Sequence, residues 1–172
     1  MKSSSDLRPI TDRALTSVMD TLRPVLANAI ALDLFAGQGR LGFRALDEGA
    51  AHVTFVEKDR KASAEIRERA RKFETRVEVV VSDVFVFLAT PKPKYDLVFA
   101  DPPFRLWTLD FHRQLFSSVR QVLAAEAIFL VKQPKRVVVP LPTPEGFVLK
   151  KTSLFGESKL IYFQYGKANT NP

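Results

Sequence analysis

Apolar residues recur along the chain with two spacings, and the switches between them mark out the elements. Leu15, Val18, Met19 and Leu22 lie three and four apart, which predicts a helix over 14–22, capped by Thr11 or Asp12 and closed by Pro24. Residues 29–35 form a short apolar run. The glycine-rich turn Ala36-Gly37-Gln38-Gly39-Arg40-Leu41-Gly42 follows, then a helix over 43–49 that Gly49 stops. Residues 51–57, 77–83, 95–100 and 127–131 are further runs rich in β-branched and aromatic residues, and read as strands. Between them lie a highly charged helix over 58–72 with Ala62, Ile66 and Phe73 inward, a short apolar segment over 84–88, and an amphipathic helix over 110–123. Residues 147–155 and 159–165 flank Gly156-Glu157-Ser158 as a closing hairpin. Strands alternating with helices build a parallel sheet, whereas hairpin partners run antiparallel. The expectation is an α/β, Rossmann-like fold: a mostly parallel seven-stranded sheet, helices on both faces, and an antiparallel C-terminal strand.

Length and composition narrow the class. At 172 residues, 46% hydrophobic and 26% charged, the chain fits one globular domain over 1–172, with flexible ends at 1–8 and 166–172. No apolar run approaches the roughly 20 residues of a membrane span, and the first residues lead into polar ones rather than a signal sequence. A soluble cytoplasmic protein without membrane association, and a monomer, is expected. The absence of cysteine excludes disulfides, thiolate catalysis and Cys-ligated metals, and two isolated histidines argue against any metal site.

Charge adds a partner. Of the net +7, residues 1–28 carry four basic against three acidic side chains, 29–101 carry twelve of each, and 102–172 carry ten against four. An excess concentrated downstream of Asp101 favours a polyanion, and nucleic acid in particular. Arg8 and Arg13 at the start of the first helix, with Arg105, Lys132, Lys135 and Arg136 downstream, are the expected RNA contacts.

Candidate chemistry gathers at strand ends. In a parallel sheet the carboxyl ends of the strands share one rim, so Asp33 with the glycine turn, Glu57, Asp83 and Asp101 converge there. Gly37-x-Gly39-x-x-Gly42, with Glu57 twenty residues beyond Gly37, matches a nucleoside-binding arrangement in which the acid receives the ribose hydroxyls. The pattern alone allows NAD or S-adenosylmethionine. Asp33 favours the latter, being suited to a cationic amino-acid moiety and repulsive to a pyrophosphate; it could equally hydrogen-bond the turn. Asp83 could receive the amine of adenine, with Val84 or Phe85 packed on the ring, or cap the following segment. Asp101-Pro102-Pro103-Phe104, closing the fourth strand, suits a planar substrate with an amino group: Asp101 and the Pro102 carbonyl accept its hydrogen bonds, and Phe104 stacks on it. Positioning of that kind frees the nitrogen lone pair without a strong base.

Together, Asp33-Leu34-Phe35-Ala36-Gly37-Gln38-Gly39, Glu57, Asp83 and Asp101-Pro102-Pro103-Phe104 resemble the class I S-adenosylmethionine-dependent amino-methyltransferases. With Arg8-Pro9-Ile10-Thr11-Asp12-Arg13, they resemble the RsmD-type enzymes that methylate guanine N2 in 16S ribosomal RNA, from about Leu7 to Tyr165. The resemblance implies S-adenosylmethionine as donor and 16S rRNA or a 30S assembly intermediate as partner. It implies cofactor contacts from Asp33, Phe35, Ala36, Gly37, Gly39, Glu57, Lys58, Asp83, Val84 and Asp101, and catalysis by Asp101, Pro102, Pro103 and Phe104. The family usually carries a basic hairpin arm ahead of the Arg-Pro segment. Only seven residues precede Arg8, so RNA docking is expected either to be weaker or to rely on the C-terminal basic half. Further departures are Ala14-Leu15-Thr16-Ser17 where charges are usual, Phe104 in place of the commoner tyrosine, and Val131-Lys132-Gln133 where the fifth strand more usually ends in an acid. The alternatives are adenine N6 methylation, a nicotinamide-dependent oxidoreductase, and a non-catalytic RNA-binding module.

Overall fold

The computed structural model describes residues 10–136 and 142–166. The expectations for 1–8, Arg8 among them, and for the tail beyond Gly166 lie outside the described residues.

Among these residues seven strands form one sheet of order β3-β2-β1-β4-β5-β7-β6. The strands are β1 (Ile30–Leu34), β2 (His52–Glu57), β3 (Val77–Val81), β4 (Tyr95–Ala100), β5 (Leu123–Pro134), β6 (Phe147–Phe155) and β7 (Ser158–Tyr165). All neighbours from β3 to β5 pair in parallel, while β7 runs antiparallel to both β5 and β6. One reversed, C-terminal strand is what the hairpin reading anticipated.

Period-two alternation splits the strand side chains between two cores. Ala31, Val53, Phe55, Leu97, Phe99 and Leu130 pack with α1 (Asp12–Leu26), α2 (Arg40–Asp47) and α3 (Arg60–Ala70). Leu32, Leu34, Val56, Val98, Phe129 and Val131 pack on the opposite face with α4 (Val84–Leu88) and α5 (Leu109–Val119). The order reverses between β1 and β4: the chain winds outward from β1 to β3, then crosses to β4 on the other side. The carboxyl ends of strands flanking such a reversal splay apart, which opens a crevice there.

Several boundaries differ from expectation, each for a local reason. Pro24 lies inside α1, which continues to Leu26. Proline deprives only the Asp20 carbonyl of its donor; both residues are exposed, so water can serve it, and Leu22 and Leu26 stay buried. The charged helix shortens to α3, with Asp59 as its cap, and continues as a 3-10 turn over Arg71–Arg76; buried Ser63, rather than Ala62, faces the sheet. The amphipathic helix ends at Val119 and β5 begins at Leu123, before the apolar run at Ala127. Its first half, Ala124-Ala125-Glu126, lacks the β-branched signature, and Glu126 at φ 62° interrupts the register with β4.

Candidate functional site

The turn after β1 is built from its own backbone. Phe35, Gly37 and Gly39 all take positive φ, at 57°, 54° and 68°. Glycine does so at little cost, whereas Phe35 carries about 1–3 kcal/mol of strain. A Cβ on Gly39 would stand 2.9 Å from the rings of Phe43 and Phe55, so this position also needs glycine for space. Gly42 has ordinary helical backbone; its role is packing, since a Cβ there would meet Phe55 at 2.4 Å and Val53 at 2.8 Å.

The hydrogen bonds of this turn bear on the choice of nucleotide. Gly37 N–H donates to Glu57 Oε2 at 2.9 Å, Gly39 N–H to the Ala36 carbonyl at 2.7 Å, and Gly42 N–H to Asp33 Oδ2 at 2.9 Å. All three glycine amides are thus spent internally, and none of the three is left to face a ligand. Asp33 makes the hydrogen bond to the turn, one of the two roles open to it in the sequence. It is 2% exposed, and burial pushes its carboxyl up to about 8; the Gly42 amide opposes the rise, and the charges of Asp101 and Glu57 add to it.

The neighbouring tips are stitched to this turn. Ala36 N–H donates to the Val56 carbonyl at 3.1 Å, Ser82 N–H to the Glu57 carbonyl at 3.1 Å, and Asp101 N–H to the Leu34 carbonyl at 3.4 Å. Glu57 takes a second bond from Asp59 N–H at 2.8 Å, leaving acceptor positions on both oxygens. Lys58 beside it is exposed. Asp83 is exposed and caps α4 by accepting from Phe85 N–H at 2.9 Å, while Val84 is buried behind it. Beyond Val84 the rim is walled by aromatic rings: Phe35, Phe85 and Trp107 lie around Phe111 at centroid distances of 6.2, 5.9 and 5.4 Å. Of this wall only Phe35 and Phe85 are legible from the sequence; the signal for the rest is the chain's one tryptophan, three residues past Phe104.

Asp101 follows β4 directly, on the same side of the switch point. Pro102 is buried, and Phe104 opens a 3-10 turn over Phe104–Leu106. Leu106 N–H donates to the Pro103 carbonyl at 3.0 Å; among the described residues no backbone N–H donates to that of Pro102, which stays available as an acceptor. One expected RNA contact belongs here instead. Lys132 is buried, and its Nζ lies 2.9 Å from Asp101 Oδ1 and 3.0 Å from Oδ2. A side chain so enclosed and so paired does not present its charge to a phosphate. Burial pushes the Asp101 carboxyl up, and Lys132 pulls it back down.

Arg13, Arg105, Lys135 and Arg136 are exposed. An ion pair between Arg40 and Asp12 ties the start of α1, and Arg13 with it, to the first turn of α2 beside the glycine turn. At the other end of the rim the hairpin tip folds back: Lys135 N–H donates to the Glu157 carbonyl at 2.7 Å, and Gln133 is paired with Lys159. Lys159, overlooked in the sequence, therefore stands with Lys135 and Arg136. Its position depends on β7 pairing with β5, which no local pattern shows.

The chain matches the model of the family described as conserved hypothetical protein 95 over residues 1–164. It is 36% identical over 163 residues to the ribosomal RNA small subunit methyltransferase D of Escherichia coli K12, covering 94% of this chain and 81% of the relative. The corresponding protein of Haemophilus influenzae is 32% identical over 159 residues, covering 90% and 81%. The solved structure of yhhF from Escherichia coli superposes with a TM-score of 0.81 at 32% identity, over 93% of this chain and 88% of that one. With this sheet, this turn and this rim, the chain belongs to the conserved hypothetical protein 95 family, that of the ribosomal RNA small subunit methyltransferase D proteins.

Proposed function

We propose that this protein transfers a methyl group from S-adenosylmethionine to N2 of a guanine in 16S ribosomal RNA, free or within a 30S assembly intermediate, acting in the cytoplasm as a monomer with one catalytic domain. The observation that carries the proposal is the meeting, across the β1–β4 switch point, of a glycine turn whose three glycine amides are bonded within the protein and a tip of carboxylate, two prolines and an aromatic ring. The names of the relatives at 36% and 32% identity, rRNA small subunit methyltransferases, support the substrate class. Among the described residues no helix is long and apolar enough to cross a membrane.

The charges at the rim suit a cationic cofactor. Asp33, Glu57, Asp83 and Asp101 stand along four adjacent tips with Lys132 as counter-charge to the last. Asp33, pushed up to about 8 by burial, is mostly neutral at pH 7, so the acids that favour a sulfonium and an ammonium over a pyrophosphate are Glu57 and Asp83, with Asp101 paired to Lys132. Glu57 would take the ribose hydroxyls and Asp83 the adenine amine against Val84. Asp33, with Phe35, Ala36, Gly37, Gly39 and Lys58 around it, would face the amino-acid end. When bound, S-adenosylmethionine would supply an electrophilic methyl carbon to the base amine, its S–CH3 bond breaking to leave S-adenosylhomocysteine while the amine loses one proton to water. On the protein side, Asp101 and the Pro102 carbonyl accept from the two N–H groups of that amine, drawing the nitrogen toward sp³ geometry. Pro103 keeps the tip stiff, and Phe104 stacks on the base. Arg13, Arg105, Lys135, Arg136 and the undescribed Arg8 would hold RNA phosphates.

Calorimetry with S-adenosylhomocysteine and with NAD tests the cofactor; heat with NAD alone would sink the proposal. Mass spectrometry of methylated rRNA tests the base, and N6-methyladenine as product would overturn the guanine assignment. Asp101→Ala is expected to lower the rate by about 10²-fold or more, in keeping with the loss of a preorganised hydrogen-bonding group. Full activity in that variant would refute the role of this tip.

A further inference from the structure

Lys132 takes no part in the chemistry above, yet it is the only buried lysine among the described residues. Its position follows from the ladder. Phe99 pairs with Leu130 and Ala100 with Val131, so the next step places Asp101 beside Lys132, on the face that packs against α1, α2 and α3. Its ammonium is shared between both carboxylate oxygens at 2.9 and 3.0 Å. A donor held by both oxygens stops the carboxylate turning and uses one lone pair of each, leaving another on each for a second donor. The same Nζ stands 5.4 Å from the centroid of the Phe104 ring. One cation therefore braces both side chains that would grip a base.

The charges around Asp101 make such a brace necessary. Lys132 reaches it from β5, and Asp33 from β1 is near enough for the two carboxyls to feel each other, with Glu57 of β2 beyond. Arg105, on the turn after Phe104, is exposed. Burial beside another carboxyl favours a protonated Asp101, and a protonated carboxyl donates a hydrogen bond where the amine needs an acceptor.

Resting on the proposed methyl transfer, we propose that Lys132 is a positioning residue that holds Asp101 ionised and oriented to accept a hydrogen bond from the target amine. Its ammonium touches the carboxylate rather than the reacting atoms. The charge is required and the exact donor geometry less so, which sets the contrast between Lys132→Met and Lys132→Arg in the full chain.

Three measurements test this: ¹³C NMR titration of the Asp101 carboxyl in the free protein, the pH–rate profile of methyl transfer to rRNA, and the affinity for S-adenosylhomocysteine. Lys132→Met is expected to raise the Asp101 titration by about one pH unit or more and to move the acid limb of kcat up by as much, so that activity below that limb falls about tenfold. Affinity for S-adenosylhomocysteine should stay within about threefold, since the lost contact serves the acceptor side. Lys132→Arg should bring titration and limb back toward the wild type. An unchanged titration and profile in the Met variant would overturn the proposal. So would a Met variant faster than wild type at every pH, which would make Lys132 a plug in the amine's place. If the Met variant fails to fold, the Arg variant decides: its limb must stay with the wild type, and a displacement of about one unit overturns the proposal. Asp101→Ala separates the two levels. If it keeps full activity, methyl transfer at this tip fails whatever Lys132 does; if it is inactive while the Lys132 variants match wild type, only the role of Lys132 fails.

Discussion

Asp33 should make the protein less stable as pH rises, and Asp33→Asn should remove that loss. The carboxyl titrates at about 8 in the folded chain against an ordinary value of 3.8. Because the folded value is the raised one, the folded state holds the proton more tightly. Stability from this group is full below the unfolded value, declines as pH rises toward the folded value, and levels off above it. The slope is about 1.4 kcal/mol per pH unit, so at pH 7 ionisation in the unfolded chain costs the native state about 4 kcal/mol as an upper bound. One effect reduces what Asn would recover. Its carbonyl oxygen can still accept from Gly42 N–H, but its amide brings in buried donors whose lack of partners costs about 1–3 kcal/mol. The expected net gain at pH 7 is about 1–3 kcal/mol, a sizeable share of a typical domain stability of about 5–15 kcal/mol. The assay is urea unfolding of both proteins at pH 5, 6, 7 and 8. Groups other than Asp101 and Glu57, which lie near enough to feel Asp33, titrate alike in the two, so the difference is dominated by this carboxyl. It should widen by about 1.4 kcal/mol per unit up to about pH 7 and by less between pH 7 and 8, as the folded value is approached. A gap that stays constant with pH would refute the assignment of a raised value to Asp33, and an Asn variant less stable than wild type at pH 8 would refute the desolvation argument.

Three further predictions concern the glycine turn, the closing hairpin and the basic rim. Gly42→Ala gains about 1 kcal/mol of helix propensity but forces a methyl into Phe55 and Val53, both fully buried, at a cost of about 1–3 kcal/mol or more. A net loss is expected, lowering the melting midpoint by about 2–4 °C per kcal/mol, and an unchanged or raised midpoint would refute the packing role. Gly156→Ala, where φ is 55° and no atom lies within 4 Å of the new Cβ, should cost only the left-handed backbone, about 1–2 kcal/mol, with no effect on cofactor binding. Replacing Lys135 and Arg136 together by Gln should weaken rRNA binding and flatten its log–log salt dependence by about 1.5, as expected for two lost phosphate contacts. A slope unchanged in filter binding would place the RNA elsewhere.

The acids at the strand ends were legible because each closes an apolar run, and a carboxylate there has few places to go but the rim. The reversed last strand was legible because a hairpin admits one polarity. Lys132 was misread because its environment depends on register: only the pairing of Ala100 with Val131 shows that it neighbours Asp101 across β4 and β5. Lys159 was overlooked for the same reason, since it reaches the rim through β7 pairing with β5. The literal glycine pattern left the nucleotide open for a different reason. It specifies where glycine is needed without saying whether an amide faces a ligand or is consumed within the turn. Here Gly42 meets a need for space and its amide goes to Asp33.

The order of the sheet also sorts the charges of the rim. Reading β3, β2, β1 and β4, the tips carry Asp83, Glu57, Asp33 and Asp101; reading on through β5 and β7 they carry Lys132, Lys135 and Lys159, with Arg136 just beyond. A cationic cofactor and a polyanionic RNA would repel from each other's half and be drawn to their own, so the two ligands of the proposed reaction can meet only at the seam. Asp101 and Lys132 are that seam. Their ion pair neutralises the one point where the two fields overlap, and it does so without exposing either charge to the wrong ligand. Lysine here thus does more than brace a carboxylate: replacing it by a neutral residue would extend the acidic half onto the RNA side, and RNA affinity should fall at low salt more than at high salt, where exposed charges are screened. A Lys132→Met variant that binds rRNA as tightly as wild type across salt concentrations would leave the brace intact and show that the charge boundary lies elsewhere along the rim.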